Sequence, residues 1–174
     1  MISDLAFLRS GEFALVSLQP SQWPIEIIDY LQFWFYLGNY HAAQKQFVEA
    51  QESYTMVLTV PSNGSVSAVQ VESYKKLILV SLLASGEMAP INSRLVAASV
   101  QRTVEALATP YLELAKVYKK SAQSPSTMTN ALVNELHHIK ETNAQAFTQD
   151  KNMGLIKQII KVSRRNSRYQ SIGC

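Results

Sequence analysis

The side chains with the chemistry to act are few. His137-His138 is the only histidine pair, and His41 is the one other histidine. Adjacent positions on a helix do not share a face, and neither a His-x-His nor a His-Glu-x-x-His spacing occurs. A zinc hydrolase needs histidines and a carboxylate converging on one metal, which these three do not supply, so the pair reads as surface or half-buried structural histidine. Ser81, Ser85 and Ser93 stand in no Gly-x-Ser-x-Gly elbow. Gly64 lies between Asn63 and Ser65, and no Gly-Lys-Ser/Thr occurs to cradle a phosphate. Cys174 is the single cysteine, too few for an intrachain disulfide or a cysteine-rich zinc site. The expectation is no catalytic residue, no cofactor, no metal and no small-molecule substrate.

Two clusters suit binding instead. Lys157, Lys161, Arg164, Arg165 and Arg168 recur at helical spacing near the end of the chain. They read either as a patch for nucleic acid or an acidic partner, or as a solvated face with cations at a helix C-terminus. No aromatics are interleaved with them, which removes the stacking platform that single strands use. Tyr30, Phe33, Trp34, Phe35 and Tyr36 cover too much of one helix for a single neighbour. One side must meet either residues 5–18 of the same chain or a partner chain. The expected partner-binding residues are therefore Phe33, Trp34, Tyr36, Lys157, Lys161 and Arg164.

The elements that position these residues are helices. Ser73–Gly86 reads SYKKLILVSLLASG, apolar in almost every direction between Leu77 and Leu83. A helix apolar all round must be covered on all sides, so residues 67–85 form a central helix, closed at Gly86. Before it, Ile25–Gln44 forms an aromatic-rich helix. A second helix follows Lys45-Gln46, with Phe47, Ala50, Tyr54, Val57 and Leu58 inward and Glu49, Glu52 and Ser53 outward. After the central helix the pattern predicts a helix from Ser93 to Leu107, with Val96, Val100, Val104 and Leu107 on one side. Thr109-Pro110 interrupts it. Tyr111–Lys120 follows, with Tyr111, Leu114, Ala115 and Tyr118 inward. Ser121–Ser126 is a loop containing Pro125. The next helix, about Thr127 to Lys140, uses Met128, Leu132, Leu136 and Ile139. Asn143–Gln149 is a connector containing Phe147. Asp150 caps a last helix with Met153, Ile156, Ile159 and Ile160 inward. Near the N-terminus, Leu15–Leu18 reads as a strand or a helix end.

Composition agrees with a packed helical chain. Of 174 residues 47% are hydrophobic and 17% charged, which excludes a disordered polymer. Six Gly and six Pro are too few for the turns of an all-β fold. The net charge of +3 is only mildly basic, and no apolar run approaches the ~20 residues of a membrane span. One cysteine and no signal-type leader make a reducing, intracellular compartment the default.

Repetition then becomes legible. Trp34-x-x-Leu37-Gly38, followed by Ala50 and Tyr54, has tetratricopeptide spacing: a large residue, a Leu and a close-packing Gly on one helix, a small and an aromatic residue on the next. His41 stands where that repeat usually has Tyr, and Pro61 falls one position early. A second, degenerate copy is marked mainly by Gly86.

Glu72-Ser73-Tyr74-Lys75-Lys76-Leu77-Ile78-Leu79-Val80-Ser81-Leu82 and Asp150-x-Asn152-Met153-Gly154-Leu155-Ile156-Lys157-Gln158 resemble segments of the third-subunit family of the COP nine signalosome. Pro110-Tyr111-x-Glu113-Leu114-Ala115-x-Val117-Tyr118 and Phe147-Thr148-x-Asp150 fit between them in the same order. The resemblance covers roughly Tyr30 to Gln158. It implies a PCI-type protein: an all-α, right-handed superhelix of tetratricopeptide-like αα-hairpins (an α-solenoid) that normally leads into a winged helix. Here the tail after Arg164-Arg165 does not resemble the family, and the winged helix is expected to be absent. The expected organisation is an N-terminal segment 1–23, a helical-repeat domain 24–166 and a frayed tail 167–174. The resemblance also implies a non-catalytic scaffold, in nucleus and cytoplasm, of a complex that removes a ubiquitin-like modifier from cullins. Its partners would be the other subunits, with no membrane and no nucleic acid. The alternative from another class is a basic PCI-type module that binds nucleic acid, as translation-initiation or messenger-export relatives do.

Overall fold

A computed structural model of the chain describes residues 26–61, 65–92, 94–123 and 130–170. Residues 1–25, the 124–126 part of the expected Pro125 loop, Met128 and the last four residues lie outside the described residues. Among the described residues there are eight helices and no strand. They are α1 (Ile27–Ala43), α2 (Phe47–Thr59), α3 (Ala68–Ala84), α4 (Ala98–Leu107), α5 (Thr109–Gln123), α6 (Asn130–Thr142), α7 (Ala144–Gln149) and α8 (Met153–Gln170).

The first hairpin turns at Lys45, which takes a left-handed φ of 61°. Its two helices approach closely because Gly38 has no side chain. A β-carbon placed on Gly38 would lie 2.6 Å from Tyr54 Cε1 and 2.8 Å from Cδ1. The Tyr54 ring fills that space, fully buried, and its hydroxyl donates to Asn39 Oδ1 at 3.0 Å. Ala50 completes the contact with no exposure. The expected tetratricopeptide pairing is thus present. Ser53 corrects the expected pattern, since it is buried rather than outward. Its hydroxyl donates to the Glu49 carbonyl at 2.8 Å, so a small polar side chain is satisfied within its own helix.

Ser67 starts α3 by accepting the Val69 N–H, and Gln70 Oε1 accepts the Ser67 N–H in return. Gln70 is itself buried and donates from Nε2 to the Val60 carbonyl at 2.9 Å, tying the end of α2 to the start of α3. From Tyr74 to Leu82 every residue but the half-buried Lys75 is buried, and Leu77, Val80 and Leu82 lie in the core as expected. Each such side chain contributes about 1.5–3 kcal/mol of burial. The helix closes at Gly86, whose φ of +79° an L side chain rarely adopts.

The second half departs from the expected pattern in several places. α5 runs on through Ser121–Gln123, expected as loop, and α8 continues to Gln170, past the expected start of the tail at 167. The helix expected from Ser93 starts at Ala98, because Asn92 holds a turn of its own. Its side chain accepts the Arg94 N–H at 3.0 Å and its carbonyl accepts those of Leu95 and Val96. Leu107, expected inward, is exposed, and Ala108 is buried in its place at the junction with α5. The connector at Asn143–Gln149 is the short helix α7, and Phe147 on it is a fully buried core residue. Asp150 does not cap α8; it ends α7, Lys151 turns the chain with φ 56°, and α8 begins after Asn152.

α1 packs on α2 and α2 on α3. α3 then meets α4, α5 and α8, while α6 lies against α5 and α8. The last helix therefore returns to the central one, and α3 is the axis both halves share.

Candidate protein-interaction site

A buried polar cluster holds that return in place. Lys75 and Lys76 of α3 reach across to the α7–α8 turn. Lys75 Nζ donates to Asp150 Oδ2 at 2.9 Å and to Glu72 Oε1 at 2.6 Å. Lys76 Nζ donates to Asn152 Oδ1 at 2.7 Å. From α5, the Tyr111 hydroxyl donates to Asp150 Oδ2 at 2.7 Å and accepts from Asn152 Nδ2 at 3.0 Å. Phe147 packs edge-on against the Tyr111 ring, with centroids 5.0 Å apart. On the other side Lys76 Nζ lies 6.0 Å from the Phe35 ring, which joins α1 to the cluster.

The two lysines are tuned oppositely. Burial pushes the Lys76 ammonium below its ordinary value, with Lys151 adding to that push and Glu72 and Asp150 opposing it. Burial acts on Lys75 in the same direction, but its hydrogen bonds to Glu72 and Asp150 outweigh it and the net shift is upward. Burial raises the Tyr111 phenol despite the opposing Asn152 bond, and its hydrogen bond to Asp150 and the charges of Asp150 and Glu72 raise it further. Every group in the cluster is paired. The cluster thereby clasps α3, α5 and the α7–α8 turn together.

The histidines carry no metal geometry. His137 is half-buried, and its Nε2 lies 2.7 Å from Arg164 Nη2. Burial, Arg164 and Lys140 together lower its pKa, so at neutral pH the ring is the acceptor for the guanidinium. His138 is exposed, and no group of three or more metal-ligating side chains occurs among the described residues.

The residues expected to bind partners fall on two separate surfaces. Phe33 and Tyr36 are exposed on α1 at 50% and 64%, and Trp34 is half-buried beside them. Of the eleven large exposed apolar side chains among the described residues, six are on α1, so the patch belongs to that helix and is not scattered. Phe35 packs against the core instead. Edge contacts from Tyr30 and Phe33 to Trp34 stiffen the aromatic set. Lys157, Lys161 and Arg164 are exposed along one side of α8, with Arg165 beside them; the Arg168 side chain lies outside the described residues.

The family model for the N-terminal helical repeats of COP9 signalosome complex subunit 3 matches residues 11–100, just over half of the chain. The chain belongs to that family. Three subunit 3 relatives match most of it. The one from Dictyostelium discoideum is 29% identical over 156 residues, which is 90% of this chain and 34% of the relative. The Emericella nidulans relative is 31% identical over 133 residues, 76% of this chain and 25% of its own. The Arabidopsis thaliana relative is 30% identical over 132 residues, 76% of this chain and 28% of its own. The chain thus spans about a quarter to a third of the subunit 3 proteins it matches. In this chain the segments resembling the subunit 3 family meet in space: Lys75-Lys76, Tyr111, Phe147, Asp150 and Asn152 form one clasp. The sequence shows the segments but not their meeting, because 75 or more residues separate Lys75 and Lys76 from Asp150 and Asn152.

Proposed function

We propose that the chain is the helical-repeat part of a signalosome subunit 3 and works as a non-catalytic scaffold. Its contacts are protein–protein contacts, made by the faces of the repeat helices to other subunits of a complex that regulates cullin-based ubiquitin ligases by deneddylation. In this reading the hairpins continue the right-handed tetratricopeptide-like superhelix of the family, and the protein works in nucleus and cytoplasm. The observation that carries it is the aromatic face of α1. Phe33 and Tyr36 stand in solvent on a helix whose opposite side is packed on α2 and α3. Such a helix lowers its free energy by being covered on the remaining side. Of the two covers open to that side, residues 5–18 of the same chain and a partner chain, the scaffold reading takes the partner; no described helix is long and apolar enough to cross a membrane.

Co-expression with the other signalosome subunits tests this. Recovery of the assembled complex with deneddylating activity, which falls apart when this chain is omitted, is the expected result; recovery of a complete and active complex without it removes the proposal. The nucleic-acid reading keeps one observation, the exposed cations Lys157, Lys161 and Arg164 on α8. It requires RNA binding with a steep salt dependence that is lost on reversing those three charges.

A further inference from the structure

The first hairpin carries a second feature beside its aromatic face. An open groove of about 550 Å³ runs between α1 and α2. Trp34, Leu37 and Met56 supply its apolar surface, and Glu49 and Glu52 line its α2 side. Both carboxylates are exposed, and neither has an ion-pair partner among the described residues. The imbalance extends to the whole hairpin. Residues 26–60 hold Glu26, Asp29, Glu49 and Glu52 against Lys45 alone, a formal charge of −3 in a chain whose total is +3. The lining residues follow helical spacing on both walls: Trp34, Leu37 and His41 on α1, Glu49, Glu52 and Met56 on α2. The groove therefore runs with the helix axes for about two turns, roughly 10 Å at 1.5 Å per residue. A groove of that direction takes the apolar ridge of a third helix, which presents side chains at i, i+3 or i+4, and i+7. Carboxylates along one wall select the charges flanking that ridge. Nucleic acid is disfavoured there by the same carboxylates.

We propose that the α1–α2 groove docks an amphipathic helix of another protein chain, with its apolar ridge against Trp34, Leu37 and Met56 and its lysines or arginines against Glu49 and Glu52. This rests on the scaffold reading and states the chemistry of one of its contacts. The docked helix extends the stack of α1 and α2 sideways, so the same hairpin is covered on its groove and on its aromatic face.

The probe is a synthetic helical peptide with leucines at i, i+3, i+4 and i+7 flanked by lysines, together with its twin carrying glutamates. Fluorescence anisotropy of the labelled peptide against the full chain reads binding, and Trp34 emission, followed in a Trp23→Phe background, reports whether the groove is the site. The lysine peptide is expected to bind at least about tenfold more tightly than the glutamate peptide, and to weaken as salt rises. Glu49→Lys/Glu52→Lys is expected to lose about tenfold or more in affinity, and the milder Glu49→Gln/Glu52→Gln a smaller part of it. Circular dichroism of each variant checks the fold. Glu113→Lys/Glu135→Lys makes the same charge change at exposed positions elsewhere and is expected to leave binding intact. Equal binding of the two peptides, or equal loss in both charge-reversed variants, overturns the proposal. So does self-association of the chain that Glu49→Lys/Glu52→Lys abolishes, since that assigns the groove to a second copy. If peptide binding fails while the chain still retains the signalosome subunits, this inference falls alone; if retention fails as well, the scaffold reading falls with it.

Discussion

Removing the same hydroxyl from two buried tyrosines of neighbouring helices should have opposite consequences. Tyr111 and Tyr74 are 1% and 2% exposed, so Tyr→Phe at either position leaves a buried ring in place. The Tyr111 hydroxyl makes two bonds, a charge-assisted one to Asp150 at 2.7 Å and one accepted from Asn152 at 3.0 Å. Its loss removes the stronger bond and strands the Asn152 amide in the interior. At 1.5–3 kcal/mol for a bond to a charge and 1–3 for a buried donor left unpaired, partly offset by relaxation, Tyr111→Phe should cost about 2–3 kcal/mol. The Tyr74 hydroxyl is buried with no hydrogen-bond partner among the described residues. Deleting it removes a desolvated polar group, so Tyr74→Phe should be neutral or stabilise by up to about 1 kcal/mol. Urea denaturation followed by circular dichroism separates the two. The midpoint should fall for Tyr111→Phe and stay or rise for Tyr74→Phe, with unchanged slopes. Equal midpoint shifts would refute the claim that the clasp, and not ring burial alone, holds α8 to α3.

Gly38→Ala should destabilise by about 1–2 kcal/mol: overpacking against the Tyr54 ring, about 1–3 kcal/mol, exceeds the gain of up to about 1 kcal/mol in helix propensity. The double variant with Tyr54→Leu should recover part of that loss in the same denaturation assay. Stability should also fall as pH rises above 10. Burial raises the pKa values of Tyr54, Tyr74, Tyr111 and Tyr118, that of Tyr74 to about 12. The unfolded chain therefore releases phenolic protons first, and the stabilisation held below pH 10 is lost as pH climbs through the folded values. Lys75, shifted upward, adds to the loss, while Lys76, shifted downward, opposes it. The tyrosinate absorbance of these four buried rings should then appear together with the loss of helix signal; full titration of all tyrosines with the helices intact would contradict this.

What could be read in advance follows from the range of the interactions involved. The burial of α3 on all sides is local and periodic, and so is the pairing of Gly38 with Ala50 and Tyr54; both are visible in single segments. Gly86 is equally local, because a left-handed residue at a helix end has one common solution. The misplacements are all of another kind. Asn92 delays α4 by a side-chain turn that competes with the helix. Ser53 hides in the core by bonding to its own helix, and composition alone classes it as polar. Phe147 and Asp150 lie in a stretch too short to show a period, so their roles depend on α3 and α5. Asp150 has the chemistry of a cap, and a lysine 75 residues away claims it instead. The aromatic surplus of α1 was legible as a helix with more apolar surface than one neighbour covers. The acidic groove was not, because Glu49 and Glu52 look like an ordinary solvated face until Trp34 and Leu37 are placed beside them.

The scaffold account is tested most directly by hydroxyl-radical footprinting of the chain, free and in the assembled signalosome. Phe33 and Tyr36 of α1 should be modified readily in the free chain and become protected on assembly. Leu107, 56% exposed at the far junction of α4 and α5, serves as the internal comparison. Protection of Phe33 and Tyr36 that exceeds any change at Leu107 is the predicted result. Unchanged modification of both aromatics in the intact complex would contradict the claim that this helix face is where the subunit meets its partners.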